Sequence, residues 1–180
     1  MSQEKKPGGL SRRDLLFGAV RRLRKEEDEP APAPPAPDPA FDLGNAAYKS
    51  GDYQGAAAGY RQCLENAPDH VEALKRLGYC LYRLGQYAQA EAEFRRILGL
   101  REKDNFASLY LGLAYARMDE PEKAAAAWKG YFNPDEVRIQ REINLQAALL
   151  ETPEPPSAQD MAEAVEQVVA DRKRELAGEE

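Results

Sequence analysis

The sequence predicts an all-α protein, built as an α-solenoid of three helix–turn–helix repeats. Three sets of residues support this prediction, because each set recurs along the chain at the same step of 34 residues. The sets are glycines that each follow a leucine, alanines, and large aromatic residues: Gly44, Gly78 and Gly112; Ala56, Ala90 and Ala124; Tyr60, Phe94 and Trp128. Self-similarity at a fixed period of this length is typical of a helical repeat array.

The spacing within each repeat has a physical reason. Two helices must cross closely, and small residues at the crossing points let their backbones approach. An aromatic residue four positions after the alanine lies on the same face of the second helix and fills the space that remains. Gly51 and Gly85 predict where a first helix ends, and Pro121 predicts where a second helix begins. We therefore place the three units at residues 37–70, 71–104 and 105–138.

This pattern resembles the tetratricopeptide repeat, whose unit reads W-x2-L-G-x2-Y, then A-x3-F, then A and P. The leucine–glycine pair, the alanine and the aromatic residue are present in every unit. The early tryptophan is replaced by Ala40, Leu74 and Ser108, and the closing proline is kept only as Pro68. The resemblance implies a concave binding surface that is lined by the first helix of each unit.

Two further helices are expected after the repeats. Asn133 and Pro134 predict the N-cap and first position of a capping helix that covers the end of the third repeat. Ser157 predicts the start of a C-terminal helix at 158–176, with Met161 and Val165 on its apolar side. The sequence leaves open whether this last helix folds back on the repeats or projects freely. The repeat domain with its capping helix spans 41–151, and a proline-rich linker spans 152–157.

The N-terminal segment 1–29 is basic, although the whole chain has a net charge of −6. Ser11-Arg12-Arg13 resembles the start of a twin-arginine export motif. The apolar run that follows ends at Arg21, far short of the roughly 20 residues that span a bilayer. Export is therefore the less favoured interpretation. A basic amphipathic helix that contacts an anionic membrane or an acidic partner is preferred, with an unstructured basic tail as the third interpretation. The proposed contact residues are Arg12, Arg13, Leu15, Leu16, Arg21 and Arg22.

A linker rich in proline and alanine, at 30–40, separates this segment from the repeats. Its alternating prolines favour an extended polyproline II conformation. The first repeat helix is expected to begin near Pro39, because proline suits the first turn of a helix.

The repeat register places twelve residues on the concave surface that the resemblance implies. They are Phe41, Asn45, Tyr48 and Lys49 from the first unit, Lys75, Tyr79, Tyr82 and Arg83 from the second, and Leu109, Leu113, Ala116 and Arg117 from the third. Lys49, Arg83 and Arg117 recur at the 34-residue step and form a cationic edge. Such a groove suits a peptide with apolar anchors and some acidic character. The alternative is that Tyr79 and Tyr82 pack against neighbouring helices.

The sequence contains no pattern that indicates catalysis or cofactor binding. Cys63 and Cys80 are expected to be reduced core residues, and His70 is expected to be an exposed loop residue. A metal site is not expected from one histidine and two separated cysteines. The acidic charge of the chain beyond its N-terminus argues against nucleic-acid binding. The family's carboxylate clamp for C-terminal peptides is not matched, because Phe41 and Arg76 occupy two of its slots.

These observations predict a non-enzymatic protein–protein interaction module without a cofactor. It would act as an adaptor or assembly factor in the cytoplasm, at the inner surface of a bacterial membrane. Two alternatives remain at this point. One is a small chaperone for a secreted or membrane-inserted client, and the other is an exported twin-arginine-dependent protein of the same fold.

Overall fold

A computed structural model describes residues 38–178, and within this range the chain forms eight α-helices and no strand. In chain order the helices are α1 (Pro39–Lys49), α2 (Tyr53–Asn66), α3 (Val71–Arg83), α4 (Tyr87–Leu100), α5 (Asn105–Arg117), α6 (Pro121–Trp128), α7 (Val137–Leu149) and α8 (Ala158–Ala177). The first six pair into three hairpins, α1–α2, α3–α4 and α5–α6, and each hairpin packs on the next. The predicted all-α solenoid of three repeats is confirmed.

The hairpin turns follow the predicted register. Gly51 and Gly85 have φ angles of +81° and +73°, in the left-handed region that costs glycine little. Asp119 occupies the same place in the third unit with φ of +63°, which aspartate tolerates better than most side chains. Pro121 is the first residue of α6 and Pro39 is the first residue of α1, as predicted. Asp38 caps α1.

The recurring glycines lie where the two helices of each unit cross. A Cβ atom on Gly44 would come within 2.8 Å of the Tyr60 ring, and one on Gly78 within 2.6 Å of the Phe94 ring. A Cβ atom on Gly112 would come closer still to the Trp128 ring. The three aromatic rings are almost fully buried. The glycines and the aromatic residues therefore recur together because each ring occupies the volume that a glycine leaves.

The capping helix begins later than the sequence predicts. Asn133 does not cap it, because its side chain accepts a hydrogen bond from the amide of Asp135 at 3.1 Å and closes a local turn instead. Helix α7 starts at Val137, so the predicted N-cap was wrong by several residues. Ile139 and Ile143 are buried, and α7 packs on α6 at the end of the third repeat.

The C-terminal helix folds back on the repeats. Helix α8 starts with a capping box, in which Ser157 and Asp160 exchange hydrogen bonds between side chain and backbone. It packs against α5 and α7. Its apolar side is buried, at Ala158, Met161, Ala162, Val165 and Val169. This packing resolves the choice that the sequence left open. No described helix is both long and apolar enough to cross a membrane.

Candidate functional site

A row of aromatic rings connects the first helices of the three units. The ring centroid of Tyr48 in α1 lies 5.9 Å from that of Tyr79 in α3. Tyr79 lies 5.2 Å from Tyr110 in α5, and Tyr110 lies 5.6 Å from Tyr82. These contacts bring α1, α3 and α5 side by side, so their facing residues form one surface. We call this surface the groove.

Helix α8 covers the part of the groove formed by α5 and the adjoining side of α3, which we call the covered half. Glu166 of α8 pairs with Arg117 and accepts a hydrogen bond from the hydroxyl of Tyr82. Glu163 lies 3.8 Å from the same guanidinium group. Of the predicted groove residues in this half, Leu109, Leu113 and Ala116 are also buried.

The four predicted groove residues of the second unit contact other residues of the repeats, and the hydroxyl groups of Tyr79 and Tyr82 also meet α8. Tyr79 and Tyr82 are each only 7% exposed, and both belong to the core. Lys75 forms an ion pair of 2.6 Å with the buried carboxylate of Asp104. Arg83 is exposed; its guanidinium lies 4.8 Å from the ring centroid of Tyr53. Packing of the two tyrosines against neighbouring helices is thus what the structure shows.

The four predicted residues of the first unit form what we call the open half of the groove. Lys49 is exposed, and Phe41, Asn45 and Tyr48 are half-buried. The ring of Phe41 lies 4.9 Å from that of His70, and Asn45 accepts a hydrogen bond from a core tyrosine. Within residues 38–178, no hydrogen bond, ion pair or cation–π contact joins α8 to α1.

Burial and neighbouring charge act differently on the groove tyrosines. Burial and the Glu166 carboxylate raise the pKa of Tyr82 far above its usual range. Burial also raises the pKa of Tyr79, but hydrogen bonds from Arg83 and from Lys173 of α8 outweigh it, so that pKa lies below its ordinary value. In the open half, burial is the largest cause of a raised pKa at Tyr48. Positive charge is therefore concentrated near Tyr79.

A cleft of about 360 Å³ lies where α3, α5 and α8 meet. Five residues around the groove that the sequence did not single out are Tyr53, Tyr87, Tyr110, Glu166 and Lys173. The sequence does indicate that Glu166 and Lys173 share a face of α8, because they are seven positions apart. Pairing that face with the repeats required the tertiary structure.

His70 has a structural role that the sequence analysis missed. Its Nδ1 atom accepts a hydrogen bond from the amide of Ala73 at 3.1 Å, so His70 is the N-cap of α3. The prediction of an exposed loop residue was wrong.

Cys63 and Cys80 are buried and unpaired, and burial raises the pKa of each thiol to about 11. The residues proposed for membrane or partner contact, Arg12 to Arg22, lie outside the described range.

These features define a class of protein, the helical-repeat solenoid with an inner groove. The family model of the tetratricopeptide repeat matches residues 41–105 and 82–129. Together with the observed hairpins, these matches show that the repeat block consists of tetratricopeptide repeats.

Part of the chain also matches a curated relative. The chain is 35% identical over 74 residues to a protein described as the CTR9 homolog of Arabidopsis thaliana. The match covers 41% of this chain and 7% of the relative, so the chain spans less than a tenth of that protein's length.

Solved structures share the fold at low sequence identity. The crystal structure of MamA protein has a TM-score of 0.56 at 24% identity, covering 74% of this chain and 72% of that one. The MamA RS-1 ArsTM double mutant has a TM-score of 0.57 at 22% identity, covering 89% and 93%. A chain of the CopN–Scc3 complex has a TM-score of 0.52 at 21% identity, covering 72% and 96%.

Proposed function

We propose that this protein is a non-enzymatic adaptor that holds a partner protein or peptide in the groove. The observation that carries the proposal is the way α8 lies on the covered half. Apolar residues of α8 are buried against the repeats, and its acidic Glu166 pairs with Arg117. The same surface continues beyond α8 into the open half, where the Tyr48 ring lies near that of Tyr79. Lys49 in this half occupies the repeat position of Arg117.

The open half has the chemistry of a binding surface. Tyr48 offers a large aromatic area at a low cost in conformational entropy. Its ring contacts Tyr53 and lies 5.1 Å from the guanidinium carbon of Arg76, so it is already positioned before a partner arrives. Lys49 lies exposed at the end of α1. A partner segment with an apolar anchor and an acidic residue would complement both.

The test is capture of partners by the full chain and by variants of the open half. Tyr48→Ala combined with Lys49→Glu should abolish capture, as measured by native pull-down and mass spectrometry. Lys123→Glu, on the exposed surface of α6, is the charge-matched control and should capture normally. Circular dichroism should show equal helical content in all three chains.

Tyr79 and Tyr82 are unsuitable targets for alanine in this experiment. Both are buried, so truncation would remove core packing at a cost of about 3 kcal/mol or more. If the Tyr48 and Lys49 variant still captures the same partners, the groove is not the binding surface.

A chaperone for a single client is the second candidate. The likeness to a chain of the CopN–Scc3 complex, over 96% of that chain, supports protein binding, which a chaperone and an adaptor share, because that fold is seen there in a protein–protein complex. The same pull-down separates the two roles. A chaperone should return one stoichiometric client, whereas an adaptor should return several components of one complex.

We also propose that the basic N-terminal segment keeps the protein at the cytoplasmic surface of an anionic membrane. The pairs of arginines on either side of the apolar run in 12–22 support this proposal. Full chain and a chain in which Leu15 and Leu16 are replaced by serine should separate in a liposome flotation assay on anionic vesicles. Equal flotation of the two chains would contradict surface binding through this segment.

A further inference from the structure

Two cations from different parts of the chain meet at one hydroxyl group. The Nη1 atom of Arg83 lies 3.0 Å from the hydroxyl oxygen of Tyr79, and the Nζ atom of Lys173 lies 3.2 Å from the same oxygen. Both nitrogens donate to it, so they lie within two hydrogen-bond lengths of each other. Lys173 also lies 3.3 Å from the hydroxyl of Tyr110.

Neither cation is paired with a carboxylate within residues 38–178, where every ion pair of α8 involves other residues. Two like charges this close repel each other, and phenolic oxygens compensate them only in part. The pKa of Tyr79 is consistent with this excess of positive charge, because, although burial raises it, the two cations lower it below its ordinary value. An anion that accepts hydrogen bonds from both groups would remove this repulsion.

The repeat register indicates which kind of anion fits. Arg83 and Arg117 occupy the same position in successive units. Arg117 already has a carboxylate ligand, since Glu166 of α8 binds it through two of its nitrogens. Arg83 lies one unit earlier, at the point where α8 brings a lysine instead of an acid. The acidic ligand for this unit is therefore absent from the described chain.

The cleft beside these cations has room for such a ligand. Its volume is about 360 Å³, and it is lined by both cations, by Glu166 and by the tyrosines Tyr79, Tyr82, Tyr87 and Tyr110. Because Glu166 is engaged by Arg117 and Tyr82, its charge is largely compensated. Aromatic walls around a cationic end suit a side chain with an apolar stem and a terminal carboxylate.

We propose that this cleft binds a carboxylate of the partner protein, held by Arg83 from the repeats and Lys173 from α8. The proposal rests on the proposed function of the groove and names the chemistry that the partner must present. It also gives α8 a role beyond packing, because the site is complete only while α8 is docked. The carboxylate of the partner would bind Arg83 as Glu166 binds Arg117 at the equivalent position of the next unit.

The site can be tested without the partner. Glutarate, its neutral analogue glutaramide and inorganic phosphate are titrated into the full chain and followed by the NMR signals of the tyrosine Cζ carbons. We expect glutarate to shift the signal of Tyr79 and glutaramide to leave it unchanged. Arg83→Gln and Lys173→Gln should each weaken glutarate binding about tenfold, the loss typical of one charge-assisted hydrogen bond. Arg95→Gln, on the exposed face of α4, is the matched control and should bind normally.

Three outcomes would overturn the proposal. They are no saturable shift with glutarate, an affinity that is unchanged in both cleft variants, and phosphate binding that is as tight as that of glutarate. The last would show a general anion site. If partner capture needs Tyr48 but neither cleft residue, the carboxylate site is wrong and the groove proposal stands. If glutarate binds as expected but no partner depends on Tyr48, the groove proposal fails and the site remains.

Discussion

The covered and open halves of the groove come from equivalent repeat positions but differ in what they contact. In the covered half, Arg117 pairs with Glu166, and Leu113 and Ala116 are buried. In the open half, the equivalent positions are Lys49, Asn45 and Tyr48, which are exposed or half-buried. A repeat position therefore fixes where a side chain points, whereas the partner of Arg117 comes from α8, outside the repeats.

The second unit lies between these two cases. Tyr82 donates to Glu166 as part of the covered half, whereas Arg83 is exposed and its hydrogen bond goes to a phenol. Contact with α8 therefore increases along the three equivalent cations. In the described part of the chain Lys49 has none, Arg83 shares the Tyr79 hydroxyl with Lys173 of α8, and Arg117 pairs directly with Glu166.

The largest effect is expected from detaching α8. Val165 is fully buried, and Val165→Glu would place an unpaired carboxylate in an apolar contact at a cost of about 3 kcal/mol or more. We expect α8 to leave the groove, and amide hydrogen exchange should then rise in α8 and along the inner face of α5. Gln167→Glu, which adds the same charge at an exposed position of α8, should change neither.

If Val165→Glu unfolds all helices together, the repeats depend on α8 for stability and the two halves are not independent. Unchanged exchange in α8 would show that its docking does not rest on this contact.

An intermediate effect is expected from the two arginines. Arg117→Gln leaves Glu166 partly buried without its partner, so the free energy of unfolding should fall by about 1 to 3 kcal/mol. Arg83→Gln removes a phenol hydrogen bond and contacts with the Tyr53 and Tyr79 rings, worth about 0.5 to 1 kcal/mol. It also relieves the repulsion between Arg83 and Lys173, so the loss should be smaller than that for Arg117→Gln. Urea denaturation of the two variants measures the difference. Equal losses would mean that α8 does not distinguish the two units.

The smallest effect is a difference in tyrosine titration. Burial raises the pKa of Tyr48, whereas the cations beside Tyr79 overcome burial and lower its pKa. Tyr79 should therefore ionise at lower pH than Tyr48, as followed by the Cζ chemical shifts of labelled tyrosine. Lys173→Gln should raise the pKa of Tyr79 and leave that of Tyr48 unchanged. The opposite order of ionisation would contradict the charge arrangement at the cleft.

Local sequence was sufficient to predict most of the repeat block. Gly78 and Phe94 recur with their equivalents because the contact is made within one hairpin, so its register can be read from spacing. The start of α7 was mispredicted because the hydrogen bond of Asn133 to the amide of Asp135 closes a turn that has the same residues as a helix cap. His70 was misjudged because it caps α3 with a ring nitrogen, a role more often filled by serine, threonine, asparagine or aspartate.

The groove residues show the limit of the same reasoning. The register placed Tyr79 and Tyr82 on the inner surface, but their burial depends on α8, Tyr110 and other residues far away in sequence. The binding roles assigned to the twelve groove residues remain predictions, as do those of the N-terminal arginines.

The three repeats, their turns and the existence of a separate C-terminal helix could be predicted from the sequence. These features depend on contacts between residues close in the chain, and such contacts leave a period or a cap that can be read directly. The packing of the helices was needed to show that α8 lies in the groove, that Glu166 meets Arg117 and that Lys173 meets Tyr79. These pairs are separated by 49 and 94 residues, and no periodic pattern records which of many exposed charges will meet once the helices have packed.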